Sequence, residues 1–130
     1  MRGGILHNDV LVAAVEDLLL ACGARTAREV SVRGDRIRGA IDLVGWMPDS
    51  LVVAVEAELT PKRITRDIAK AEALGCDLLC IVTPTPAVAR ACVRRIPRDP
   101  NGKKPEILVH PLGPMLARLA DRFSLNPAAE

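Results

Sequence analysis

The sequence predicts a single α/β domain whose mixed β-sheet is covered by helices on both faces. Three observations lead there. Residues 10–22 carry an apolar stripe at helical spacing. Residues 51–55 and 78–82 are unbroken apolar runs, the composition of central strands covered on both sides. Thr60-Pro61 and Thr85-Pro86 each place a capping hydroxyl and a helix-starting proline soon after such a run. The predicted order is α-β-β-β-α-β-α-β-α.

Asn8 or Asp9 is placed to cap the first helix, which runs from Val10 to Cys22 and stops at Gly23. Leu11, Val15, Leu18 and Cys22 share one face, and Val12 and Leu19 widen it enough to predict a well-buried helix. Glu29–Arg33 and Ile37–Trp46 form a hairpin around Gly34-Asp35, and Met47–Ser50 turns the chain into a third strand, Leu51–Glu58. A helix follows from Pro61 to about Leu74, buried through Ile64, Ile68 and Ala71 and ended by Gly75. Leu78–Thr83 is the next strand, Pro86 to about Arg95 the next helix, and Pro97–Pro105 a polar loop. Ile107–Val109 and Pro114–Phe123 complete the domain as a strand and a helix, with a frayed tail after Ser124. The whole of 1–130 is thus one domain, with a core at about 8–95 and a strand–helix extension at about 105–124.

Composition narrows the function classes. One Trp, one Phe and no Tyr leave no platform for stacking single-stranded bases. No apolar run reaches membrane-spanning length and the start resembles no signal peptide, so a cytoplasmic location is expected. Cys22, Cys76, Cys80 and Cys92 form no CxxC pair and are expected to be buried or partly buried free thiols in a reducing compartment. No GxGxxG or Walker loop is present, and His7 and His110 have no nucleophile near them in sequence. Charge is uneven: residues 1–58 hold 6 basic and 9 acidic side chains, residues 59–130 hold 12 and 7. That division suits a carboxylate site beside a phosphate-binding surface, although ordinary solvated charge would give the same counts.

Period-two geometry puts Val52, Ala54, Glu56 and Glu58 on one face of the third strand. Two carboxylates thus project together from an apolar strand, which is costly without a cation or a shared proton. Asp42 lies in a second apolar context, residues 40–44, and an antiparallel turn at 47–50 brings it toward Glu56. Glu16 adds an acid on the first helix. Hard oxygen donors of this kind suit Mg²⁺ or Mn²⁺. The plainer alternative pairs each acid with a nearby Arg or Lys.

A helix bearing an acid, Asp42 on the second strand, and Glu56 on a third strand that leads into a helix resemble the PD-(D/E)xK, or restriction-endonuclease-like, nuclease superfamily. Within it, Glu56-Ala57-Glu58-Leu59-Thr60-Pro61-Lys62, with His7-Asn8-Asp9-Val10, is similar to plasmid replication-relaxation proteins. Ile41 stands at the usual Pro and Glu58 at the usual Lys. The resemblance implies a metal-dependent phosphodiesterase or DNA endonuclease in plasmid or mobile-element maintenance. Its metal ligands would be Glu16, Asp42 and Glu56, and its catalytic residues Asp42, Glu56, Glu58 and Lys62, with Lys62 or Lys70 supplying the cation. Lys62, Arg66 and Lys70 recur every four residues and, with Arg90, Arg94, Arg95, Arg98, Lys103 and Lys104, are the expected phosphate contacts. DNA is the expected partner, with a homodimer and a separate DNA-binding domain as further expectations. Loss of the usual Lys leaves a second class open, an inactive nuclease-like domain that binds DNA or protein. A purely structural or dimerisation module is the third.

Overall fold

The computed structural model describes residues 2–98 and 105–123, with side chains from Asn8 onward. The elements are α1 (Arg2–Ala21), β1 (Arg25–Arg33), β2 (Arg38–Trp46), β3 (Val52–Ala57), a 3₁₀ turn (Pro61–Arg63), α2 (Ile64–Leu74), β4 (Leu78–Thr83), α3 (Pro86–Arg94), β5 (Glu106–Pro111) and α4 (Leu112–Arg122). The sheet has five strands in the order β1-β2-β3-β4-β5. β1, β2 and β3 are antiparallel neighbours, whereas β3, β4 and β5 run parallel. Parallel neighbours need a crossover, and α2 and α3 supply the two here.

The helices divide between the two faces. Leu11, Val12, Val15 and Leu19 of α1 and Met115 and Leu119 of α4 pack on Leu43, Val53, Val55, Cys80 and Val82. On the other face Ile64, Ile68 and Ala71 of α2 and Ala89 and Cys92 of α3 pack on Val44, Ala54, Leu79 and Ile81. β4 is buried at all six positions, as its unbroken apolar run requires.

Several local expectations are revised. α1 starts by Arg2, so Asn8 is an interior helical residue and caps nothing. Apolar residues lie around much of α1, yet Val10 and Leu20 are exposed and only one side is buried. Pro61 opens a 3₁₀ turn, with Thr60 Oγ accepting from the Lys62 N–H, and α2 begins three residues later. β1 extends four residues earlier than its apolar pattern indicates, because pairing with β2 carries exposed Arg25 and Arg28 into the ladder. Residues 99–104, with Lys103 and Lys104, and the tail from Ser124 lie outside the described residues.

Other signals hold. Thr85 caps α3 through the Val88 N–H, and Gly75 ends α2 at φ +78°, where its N–H reaches Ala71 O and Glu72 O. The cysteines are free, with Cys76, Cys80 and Cys92 buried. No helix among the described residues is long and apolar enough to cross a membrane.

Ile81→Ala should cost about 3 kcal/mol by opening a cavity in the fully covered strand. Gly75→Ala should cost about 1 kcal/mol through its left-handed backbone alone. Urea unfolding measures both, with the m-value unchanged.

Candidate functional site

The site begins where the β1–β2–β3 ladder changes. Glu29 has φ +51°, uncommon for a residue with a side chain. It lies across from Asp42, and the regular pairing of β1 with β2 skips that pair. Side-chain alternation turns over there on both strands. Arg28 reaches Glu16 on the α1 face while Val30 and Val32 pack on the α2 face; Leu43 joins the α1 core while Ile41 joins the α2 core. Beyond Leu43–Val55 the β2–β3 ladder stops.

Side chains take over where the ladder ends. Asp42 N–H donates to Glu56 Oε1 at 3.1 Å, and Ala57 N–H donates to Asp42 Oδ2 at 2.9 Å. Each acid therefore satisfies a backbone group of the other's strand. Asp42 and Glu56, expected to meet from neighbouring strands, do so.

A cleft of about 460 Å³ opens over this junction, lined by Asp42, Glu56, Glu58, Asp67, Lys70 and Arg66 among others. Lys62, Arg63, Glu29 and Asn8 complete its charged and amide rim. Lys70 lies deepest among the cations. Its ammonium is 2.6 Å from Glu56 Oε2 and 3.8 Å from Asp67 Oδ1, and it donates to Ala40 O at 2.7 Å. Arg66, one turn earlier on α2, donates to Arg38 O at 2.6 Å. The two side chains thus grip alternate carbonyls of β2 on either side of Gly39. A Cβ at Gly39 would stand 3.1 Å from Arg66 Nη2 and 3.2 Å from Lys70 Cδ, so glycine leaves the passage they use.

Burial sets the protonation. It pushes the Glu56 carboxyl up to about 7, with Lys70 opposing the rise and Asp42 adding to it. Asp67 is 1% exposed, and neither carboxylate oxygen has a hydrogen-bond partner among the described residues. Burial, reinforced by the acids Glu58 and Glu56 beside it, pushes Asp67 up to about 10.

The remaining expected residues divide. Glu16 accepts from Thr26 Oγ at 2.7 Å and from Arg28 Nε at 2.8 Å, and does not line the cleft. Expected as a metal ligand, Glu16 is instead turned to the α1 face, where the Thr26 hydrogen bond, with Arg28, lowers its pKa. Lys62 lines the cleft from the exposed 3₁₀ turn, whereas Lys70 is buried against Glu56, so Lys70 is no surface phosphate contact. Arg90 and Arg94 border a different groove, between α3 and β5, and Arg95 follows α3.

Four charged or amide cleft residues escaped the sequence reading: Asn8, Glu29, Asp67 and Arg63, the last on the exposed 3₁₀ turn beside Lys62. Asn8 looked like a cap, yet its Nδ2 donates to Ala57 O at 3.5 Å, while its buried Oδ1 has no partner among the described residues. Glu29 looked like an ordinary strand residue. Asp67 had a visible signal: it stands three residues after Ile64 and four before Ala71, on the buried face of α2.

The donor chemistry suits a hard divalent ion, since Asp42, Glu56 and Glu58 offer carboxylate oxygens and the burial that raises the Glu56 pKa, with Asp42 adding to it, is a cost a cation relieves. As arranged, however, no group of three or more His, Cys, Asp or Glu among the described residues is set to hold a metal ion. Lys70 supplies the countercharge instead. The chain matches no family model, no curated protein and no solved structure.

Both raised acids hold their protons in the folded state where the unfolded chain has released them. Their contribution is complete below the unfolded values, 4.5 for Glu56 and 3.8 for Asp67, and is lost as pH rises toward about 7 and about 10. Without divalent ions, the melting temperature followed by circular dichroism should therefore fall from pH 5 to pH 9. Asp67→Asn should flatten the decline and raise the pH 8 value by roughly 4 °C.

Proposed function

We propose that this domain is a metal-dependent phosphodiesterase acting on DNA, with a restriction-endonuclease-like arrangement of its sheet and acids. One observation carries the proposal: Asp42 and Glu56 come from two strands into a single cleft at the point where those strands part, with the Lys70 ammonium 2.6 Å from Glu56. Two carboxylates and one amine in a partly closed cleft form a set that phosphodiester hydrolysis uses. The amine absent from position 58 is replaced in space by one from α2.

In this reading Asp42 and Glu56 would hold Mg²⁺ or Mn²⁺, which when bound supplies Lewis acidity toward the phosphoryl oxygen and acidifies water. The chain's own groups do the rest. Lys70 fixes the Glu56 carboxylate and places positive charge near the negative charge that develops on the phosphorane. Glu58, half-buried in the cleft, is the available proton acceptor for the attacking water. Lys62 and Arg63, exposed on the 3₁₀ turn, hold the non-bridging oxygens of the scissile phosphate.

A second reading, an inactive DNA-binding relative, is favoured by Lys70 itself. An ammonium already pairing Glu56 lets the acids stay buried with no ion present.

Titration calorimetry with Mn²⁺ and nicking of supercoiled plasmid test the first reading. Asp42→Ala and Glu56→Gln should each remove Mn²⁺ binding, and they and Lys70→Met should lower the nicking rate at least about 100-fold. Wild-type rates in any of the three would overturn the assignment of that residue. DNA binding without cleavage under every divalent ion would replace the first reading with the second.

A further inference from the structure

We infer that the tip of the β1–β2 hairpin is the surface on which the DNA backbone runs as it leaves the cleft. The inference rests on the nucleic-acid reading of the cleft and extends it to a surface outside the acids. Arg33 and Arg38 are direct cross-strand partners at the end of the hairpin, and Arg36 lies in the turn between them. All three are exposed. Like charges facing each other across a strand pair lower stability. A fold that needed only a turn at Gly34-Asp35 would be better served by any neutral or opposite pair. An anion laid across the tip turns this repulsion into attraction.

The tip is continuous with the cleft. Arg66 lines the cleft and also donates to Arg38 O at 2.6 Å, so the guanidinium of α2 joins the two regions. Following the surface from Lys62 and Arg63 through Arg66 to Arg38, Arg36 and Arg33 gives six cations. Asp35 in the turn and Glu72 on α2 are the acids beside the outer three. Such an extended row fits a polyanion with regularly spaced charges better than a compact anion, which would use one or two cations. Duplex DNA is the form expected, because the chain's single Trp and single Phe offer little for stacking unpaired bases.

Basic residues on α3 compete for this role. Arg90 and Arg94 face a groove floored by Val93, Val109 and Pro111, on the β5 side of the sheet. β1 and β2 are at the opposite edge from β5, so the two surfaces are separable by mutation.

The test uses the full chain, a fluorescent 20-base-pair duplex and EDTA, so that cleavage has no part in the readout. Anisotropy is followed over a salt series. The triple variant Arg33→Ala, Arg36→Ala, Arg38→Ala should weaken binding at least about tenfold and flatten the log K against log salt slope by roughly two to three units. Arg33→Lys, Arg36→Lys, Arg38→Lys should retain most of the affinity, and Arg90→Ala, Arg94→Ala, Arg95→Ala should leave it within about twofold. The alanine hairpin variant should melt no lower than wild type, since it loses a repulsive pair. Absent wild-type binding, an unaffected hairpin variant, or an equal loss from the α3 variant would each overturn the inference. Failure of plasmid nicking would leave this result standing and count only against the hydrolytic reading.

Discussion

The pairing of Glu56 with Lys70 is the interaction on which the rest of the cleft depends. Glu56 sits near the end of a strand otherwise made of Val and Ala, and it is 2% exposed. A carboxylate placed there without a partner would cost several kcal/mol, or would simply keep its proton. The ammonium at 2.6 Å changes that balance, and the same ammonium bonds Ala40 O on the neighbouring strand. One side chain thus neutralises β3 and ties α2 to β2. Arg66 repeats the tie at Arg38 O.

These ties matter because the sheet opens at this point. Glu29 adopts a left-handed backbone, alternation reverses on β1 and β2, and the β2–β3 ladder ends at Leu43–Val55. Divergence of two strands exposes backbone donors that need new acceptors. Asp42 and Glu56 provide them reciprocally. The acids are therefore structural and chemical at once: the hydrogen bonds that close the fork also hold both carboxyl groups in the cleft. A helix on the same face brings Asp67, whose buried carboxyl lies beside Lys70, Glu58 and Glu56. The inner acids are held by burial largely in the protonated form or paired with Lys70, while the exposed cations Lys62, Arg63 and Arg66 line the opening and favour an anionic strand there.

The charge division along the chain gives a misleading map of this arrangement. Residues 1–58 carry the acidic excess, yet Arg33, Arg36 and Arg38 from that half are placed beside the basic turn and helix of the second half. Arg90 and Arg94, from the more basic half, are carried to the β5 edge of the sheet by the α3 crossover. Linear charge counts cannot register which edge of a sheet a helix or hairpin occupies, because strand order is a three-dimensional property.

Local chemistry, by contrast, is legible in the residues. Unbroken apolar runs define β3 and β4, Thr-Pro pairs mark the starts after them, Gly75 ends α2, and the turn at 47–50 makes β2 and β3 antiparallel, which brings Asp42 near Glu56. Each of these follows from interactions within a few residues, so the sequence by itself determined them. Only the tertiary structure decided the reversal at Glu29 and Asp42, the turning of Glu16 to Arg28 on the opposite face, and the seating of Lys70 rather than Lys62 against Glu56. The reason is distance along the chain: Lys70 is 14 residues from Glu56 and 30 from Ala40, and packing of a whole helix against a sheet, not any local preference, brings those atoms together.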